Sequence, residues 1–251
     1  MRFAFGVLSV VPVRVGQWDR AAARGGMVAA PVVGAVLGLG AAVAGGVLTA
    51  AGASALLAAV AAVAVTAVLT RGLHLDGLAD TADGLGSGKP AEDALRIMKQ
   101  SDIGPFGVVT LVLVLLGQVG ALTACYGHGW VYGGTAAVVA AVAGRTAITL
   151  ACRDGVPPAR PEGLGAAVAG VLRPRTACGV AVLCGALAVA VTVPFGGLTW
   201  VRTAVAWSCA LLAAEALLRR CRHRFGGVTG DVFGALCETS VTTALLVLAL
   251  R

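Results

Sequence analysis

Three aspartates, Asp76, Asp80 and Asp83, stand at i, i+4 and i+7 within residues 71–88, RGLHLDGLADTADGLGSG. On a helix they fall within an arc of about 60° on one face. Three carboxylates on one stripe repel one another unless a cation sits among them. Hard oxygen ligands suit Mg²⁺, which typically bridges carboxylates to substrate phosphates. The plainer alternative is a solvated, Gly-rich loop whose aspartates cap turns, but this stretch abuts a run apolar enough to cross a membrane. His74 lies about 160° around the same helix from Asp76. It faces away from the stripe and reads as a structural histidine.

A second constellation occupies residues 225–238, FGGVTGDVFGALCE. Asp231 and Glu238 are seven apart, hence on one helix face. Gly226, Gly227 and Gly230 permit tight turns and a close approach of backbone to phosphate. Thr229 among them is a candidate substrate contact. A carboxylate about two turns into an apolar span is costly without a partner, so Glu238 either serves the site or pairs with a buried arginine. Residues 94–107, ALRIMKQSDIGPFG, add Arg96, Lys99 and Ser101. These either hold phosphate oxygens or merely flank a span with positive charge. Residues 157–165, PPARPEGLG, put Arg160 and Glu162 in a turn-rich loop able to cover a substrate.

These side chains need a scaffold, and the composition says which kind. Hydrophobic residues make up 58% of the chain and charged residues 12%, and the mean hydropathy is +0.91. Soluble domains carry about a quarter charged residues. There is too little polar surface here for water, and residues 1–251 read as one membrane domain. A span takes roughly 20 apolar residues. About seven candidates follow, at 27–50, 53–70, 104–125, 130–151, 176–195, 201–218 and 232–250. The expected fold is an all-α, polytopic transmembrane helical bundle. The net charge of +7 is not gathered as a nucleic-acid-binding face would be. Segments 1–26, 71–103, 152–175 and 219–231 hold four basic residues each, and the alternate connections hold only Arg202. The positive-inside rule then places the N-terminus and every long connection in the cytoplasm, with the C-terminus outside; the membrane expected is the bacterial cytoplasmic (inner) membrane. All 12 acidic residues lie in those connections or within a few turns of the same ends of the spans. The polar chemistry therefore faces the cytoplasm. The apolar run 3–13, interrupted by Pro12, reads as a segment lying at the interface. None of the seven cysteines has CxxC spacing, and they read as small buried side chains.

Together these stretches resemble the cobalamin synthase family, also called adenosylcobinamide-GDP ribazoletransferases. HLDGLADTADGL, IMKQSDIG and GGVTGDVFGALCE carry the resemblance, with weaker echoes in VVPV near Pro12, PVVGAVLG at Pro31, GRTA at Arg145 and ARPEGLG at Arg160. The chain departs from the family pattern at Gln100, Asp102 and Val241. The resemblance implies an integral membrane enzyme that uses Mg²⁺. Adenosylcobinamide-GDP would give up GMP while its cobinamide phosphate is joined to a ribose hydroxyl of α-ribazole or α-ribazole 5′-phosphate. Asp76, Asp80, Asp83 and Asp231 would form the metal centre, with Glu238 a ligand or orienting group. Arg96, Lys99, Ser101, Arg145, Arg160 and Thr229 would contact the corrinoid nucleotide and the nucleoside. Membrane lipid and other enzymes of cobalamin assembly are the expected neighbours, and nucleic acid is not.

Two rivals remain. Asp80-Thr-Ala-Asp83-Gly84 echoes the opening of the CDP-alcohol phosphotransferases, but Leu85-Gly86 follows and no Asp stands four residues after Asp231. A transporter is the other, disfavoured by the lack of mid-membrane charge. One geometric expectation joins the two carboxylate pairs. If the second span continues through the aspartates and lies antiparallel to the last span, Asp76 comes level with Glu238, and Asp80 or Asp83 with Asp231.

Overall fold

The chain is a bundle of helices, and among the described residues no strand forms apart from two isolated bridges. The computed structural model describes every residue except 15, 17, 198 and 251. In order the helices are α1 (Arg2–Leu8), α2 (Arg20–Ala50), α3 (Ala55–Leu69), α4 (Leu73–Gly86), α5 (Ala91–Ile97), α6 (Pro105–Gly127), α7 (Trp130–Ala151), α8 (Gly163–Val168), α9 (Pro174–Ala190), α10 (Thr199–Phe225) and α11 (Gly230–Ala249). Six of them, α2, α6, α7, α9, α10 and α11, are long and apolar enough to cross a membrane, α9 with its 3₁₀ extension to Phe195. Counting the bent pair α3 and α4 as one crossing brings the number to seven. The starts follow local chemistry. Asp19 caps α2 by accepting from Ala22 N at 2.7 Å, Ser54 caps α3, and Pro174 opens α9, where its missing N–H costs nothing. α1 lies against the bundle, with Phe3, Ala4 and Leu8 buried. Of the cysteines, Cys125, Cys152, Cys221 and Cys237 are buried as expected, whereas Cys178 is exposed.

The second span does not continue through the aspartates. α3 ends after 15 residues, Arg71 and Gly72 take positive φ of 53° and 69°, and the chain turns by 87° into α4. Gly72 N bonds back to Ala67 O at 2.8 Å, closing the helix end as a left-handed residue does. The sequence favours a break here because a basic residue and a glycine interrupt the apolar run. All three aspartates still share α4, which lies past the bend and outside the six spanning helices.

α4 packs on both α6 and α11. A Cβ on Gly77 would lie 2.6 Å from the carbonyl oxygen of Asp231, and one on Gly234 would lie 2.9 Å from that of His74. The two helices meet backbone to backbone, the packing that small residues allow in a bundle. These contacts confirm antiparallel neighbours and correct the register: Asp231 comes beside Gly77, hence beside Asp76, and Glu238 lies beyond the aspartate stretch.

The seam gives a direct stability test. Gly77→Val should lower stability by about 1–3 kcal/mol, the usual cost of overpacking, seen as a lower melting temperature in detergent. Gly120→Ala on α6, whose added Cβ meets nothing within 4 Å, should be neutral or slightly stabilising. Equal effects would show that the α4–α11 contact is not tight.

Candidate active site

The polar site is assembled chiefly by two loops and the two helices of the seam. Segment 152–172 folds into a closed lobe: Leu172 N donates to Cys152 O at 3.1 Å and Asp154 N to Leu172 O at 2.7 Å. The lobe is pinned to the loop entering α11, because Ala159 N donates to Val228 O at 2.9 Å and Val228 N to Pro157 O at 3.0 Å. Gly227 and Gly165 let the strands of loop touch; a Cβ on Gly165 would lie 2.8 Å from Val228 O. This backbone latch carries Arg160 and Glu162 over the start of α11.

A cavity of about 280 Å³ results, lined by Asp76 from α4, Asp231 and Thr229 from the start of α11, and Arg160 and Glu162 from the lobe. Leu8, Ile148, Leu164 and Phe233 give it an apolar wall. Thr229 does two jobs, accepting from Val232 N at 3.3 Å as the cap of α11 and donating to Asp231 Oδ2 at 3.1 Å. Arg160 donates to the carbonyl of Leu95, which fixes its reach toward the carboxylates. Asp80 sits one turn from Asp76 on the same helix. Its partial burial, and next the charges of Asp76, Asp231 and Asp83, push its carboxyl up to about 7, against the pull of Arg160. None of Asp76, Asp80 and Asp231 takes part in an ion pair among the described residues. Oxygen donors of one sign without ion-pair partners are the donor type a divalent cation takes, although these three do not converge within 4.8 Å of one another, and a bound cation would relieve the repulsion that adds to burial in raising Asp80.

The other sequence-marked residues fall elsewhere. Asp83 is buried and faces α6, where its two oxygens accept from Gly104 N at 2.8 Å and Gly107 N at 3.0 Å. It caps that helix across the chain. Glu238 is buried deeper in the bundle, accepting from Gln118 Nε2 at 2.8 Å. Arg145 is buried beside His74, 3.5 Å from its Nδ1. Arg96 is exposed and paired with Asp93 at 2.6 Å, Lys99 is paired with Glu162 at 3.4 Å on the rim of the cavity, and Ser101 is exposed against Asp102. Sequence reasoning missed Gln118, whose signal was there as the lone amide of an otherwise apolar span. It also missed Leu8 and Ile148, apolar residues with no chemical signature.

The architecture defines a polytopic membrane protein with an acidic site under a loop that carries Arg160, at one end of its bundle. The chain matches the family model described as Cobalamin-5-phosphate synthase over residues 1–249, and it belongs to that family. It is 44% identical to an adenosylcobinamide-GDP ribazoletransferase of Frankia casuarinae, over 99% of this chain and 94% of the relative. Proteins of the same name from Pseudomonas putida and a Nocardioides species are 40% and 36% identical, covering 97% and 100% of this chain and 95% and 98% of their own lengths. No solved structure matches.

The separation of roles is testable. Asp76→Asn and Asp80→Asn should each lower turnover by at least about a hundredfold, the scale for losing a key electrostatic group, with insertion and melting temperature little changed. Asp83→Ala should instead lower stability by about 1–3 kcal/mol, since two buried N–H groups lose their acceptor. Near-normal turnover in either Asn variant would remove that residue from the site.

Proposed function

We propose that this chain is a Mg²⁺-dependent transferase that joins adenosylcobinamide-GDP to α-ribazole or its 5′-phosphate, releasing GMP and giving adenosylcobalamin or adenosylcobalamin 5′-phosphate. The observation that carries the reading is the meeting of Asp76 and Asp231, from two separate motifs, in one cavity with Arg160 and Thr229. The names of the relatives agree with it. The reaction is displacement at the cobinamide-bearing phosphorus of a diphosphate: a ribose hydroxyl oxygen forms the new P–O bond, the bond to the bridging oxygen breaks, and GMP leaves.

Asp76, Asp80 and Asp231 would hold the Mg²⁺. When bound, it supplies neutralisation of diphosphate charge and Lewis-acid assistance to the departing GMP. Arg160, held over the carboxylates by the latched lobe, pairs with phosphate oxygens, and the Lys99–Glu162 ion pair stands at the rim. A carboxylate left free of the cation takes the proton of the attacking hydroxyl. The apolar wall keeps bulk water from the phosphorus, which disfavours hydrolysis. Thr229 sets the start of α11, on which Asp231 stands, and Asp83 ties α4, which carries Asp76 and Asp80, to the start of α6.

The placement of 16 basic residues in alternate connections supports a site facing the cytoplasm of a bacterial inner membrane, with the N-terminus on the same side. In a cysteine-free background, single cysteines at Ser87 and Gly226 should label from the cytoplasmic side alone. Labelling from outside would sink the orientation.

The reaction has its own assay. Purified protein given adenosylcobinamide-GDP, α-ribazole and Mg²⁺ should release GMP in step with formation of adenosylcobalamin. Turnover should stop on chelation and return with added Mg²⁺. Release of CMP from a CDP-alcohol substrate instead would replace this reading with a phospholipid-type phosphotransferase.

A further inference from the structure

Glu238 and Arg145 lie deep in the bundle, outside the cavity that holds Asp76 and Asp231, and the buried His74 stands between them and that cavity, whose wall it joins. Arg145 of α7 is 2% exposed, His74 of α4 is 2% and Glu238 of α11 is 9%. Arg145 and Glu238 line a second, small cavity of about 30 Å³ together with Gln118, Thr66 and Thr70, space enough for a water molecule. Glu238 is the only carboxylate on that cavity, and Arg145 the only cation. A buried guanidinium stays charged, so it needs a buried anion, and Glu238 is the one in place.

Arginine only donates. Its terminal nitrogen lies 3.5 Å from His74 Nδ1, a contact in which Nδ1 must be the acceptor if a hydrogen bond forms. The acceptor-type atoms of His74, Cys237 and Glu238 lie within 4.8 Å of one another. Such a trio resembles a metal site, but the guanidinium beside it opposes a second cation. The trio instead bridges α4 to α11, and Gln118 and Arg145 extend the bridge to α6 and α7.

His74 lies two residues before Asp76, and its backbone is what Gly234 packs against. We infer that Arg145, His74 and Glu238 form a buried positioning network that holds α4 in register on α11. Glu238 then aligns Asp76 with Asp231 and does not itself bind the cation. The inference deepens the proposed function and rests on its acidic cavity. The network acts at the seam: an uncompensated charge on either side shifts His74, and with it the first turn of α4. A displacement near 1 Å at a reacting group costs about a hundredfold in rate.

The test uses the full chain, purified in nanodiscs, as E238Q, R145M and the double variant. Each single variant strands one buried charge and should lose about a hundredfold in turnover per folded molecule, with KM for the corrinoid nucleotide within about threefold of the parent. The double variant removes both charges and should recover at least tenfold of that loss. Mn²⁺ affinity, read by the electron paramagnetic resonance of the free ion, should be unchanged within about threefold in E238Q and lost in D76N. A double variant no better than the singles overturns the network, as does an E238Q protein that loses Mn²⁺ as D76N does. Protein that binds no Mn²⁺ at all defeats the cation reading of the acidic cavity, while the recovery in the double variant still decides the positioning role.

Discussion

Everything in this molecule turns on holding carboxylates of α4 and α11 close together although they repel. The helices come near enough only because Gly77 and Gly234 carry no Cβ where each meets the other's backbone. That contact sets Asp76 beside Asp231 and draws Asp80 into the same field, where partial burial first and then its neighbours' charges raise its carboxyl to about 7. Such crowding is unfavourable for the protein by itself. It persists because the surrounding structure over-determines the geometry, and the proposed cation would turn the repulsion into affinity.

The over-determination comes from backbone, not from side-chain bulk. Asp83 ties the end of α4 to the start of α6 through two N–H groups. Thr229 ties the start of α11 to Asp231. The lobe at 152–172 is stitched to residue 228 by a pair of main-chain bonds. In a chain with 36 glycines, packing alone would leave loops soft. Polar caps at helix starts and main-chain latches between loops supply the rigidity that large side chains supply in soluble enzymes. The same devices leave the mouth of the cavity polar, where a diphosphate would enter.

Much of this was legible in the sequence, and the parts that were not have a common cause. Span type followed from composition, with six spanning helices, or seven with the bent pair, against the seven expected, and 130–151 matches α7 to the residue. The spacing of Asp76, Asp80 and Asp83 indicated one helix, and α4 is that helix. Periodicity could not show the 87° break at Arg71 and Gly72, because hydropathy reports burial in lipid and not direction. It also could not fix register between α4 and α11. That depends on which glycine meets which backbone, a fact about two helices at once. So Asp76 was matched to Glu238 when its neighbour is Asp231. Asp83 illustrates the same limit: its i+7 place on the stripe was correct, but its partner, the start of α6, lies 21 residues on and left no mark in the local pattern.

The depth of the two carboxylates of α11 separates what they can do. Asp231 stands in the first turn, half-buried at the lip of the larger cavity, where phosphate and water can reach it. Glu238 stands two turns farther in, where the nearest counter-charge is a guanidinium and the nearest donor an amide. A charge in so apolar a place is retained only where its removal would leave another charge stranded. A helix that carries one carboxylate for substrate and another for its own alignment joins binding to packing. The span buries Glu238 on the same small cavity as Arg145, and on the inferred network that burial fixes the angle at which Asp231 is offered to the site. The seven-residue spacing that first suggested one metal centre is, on this view, the distance between a working group and its anchor.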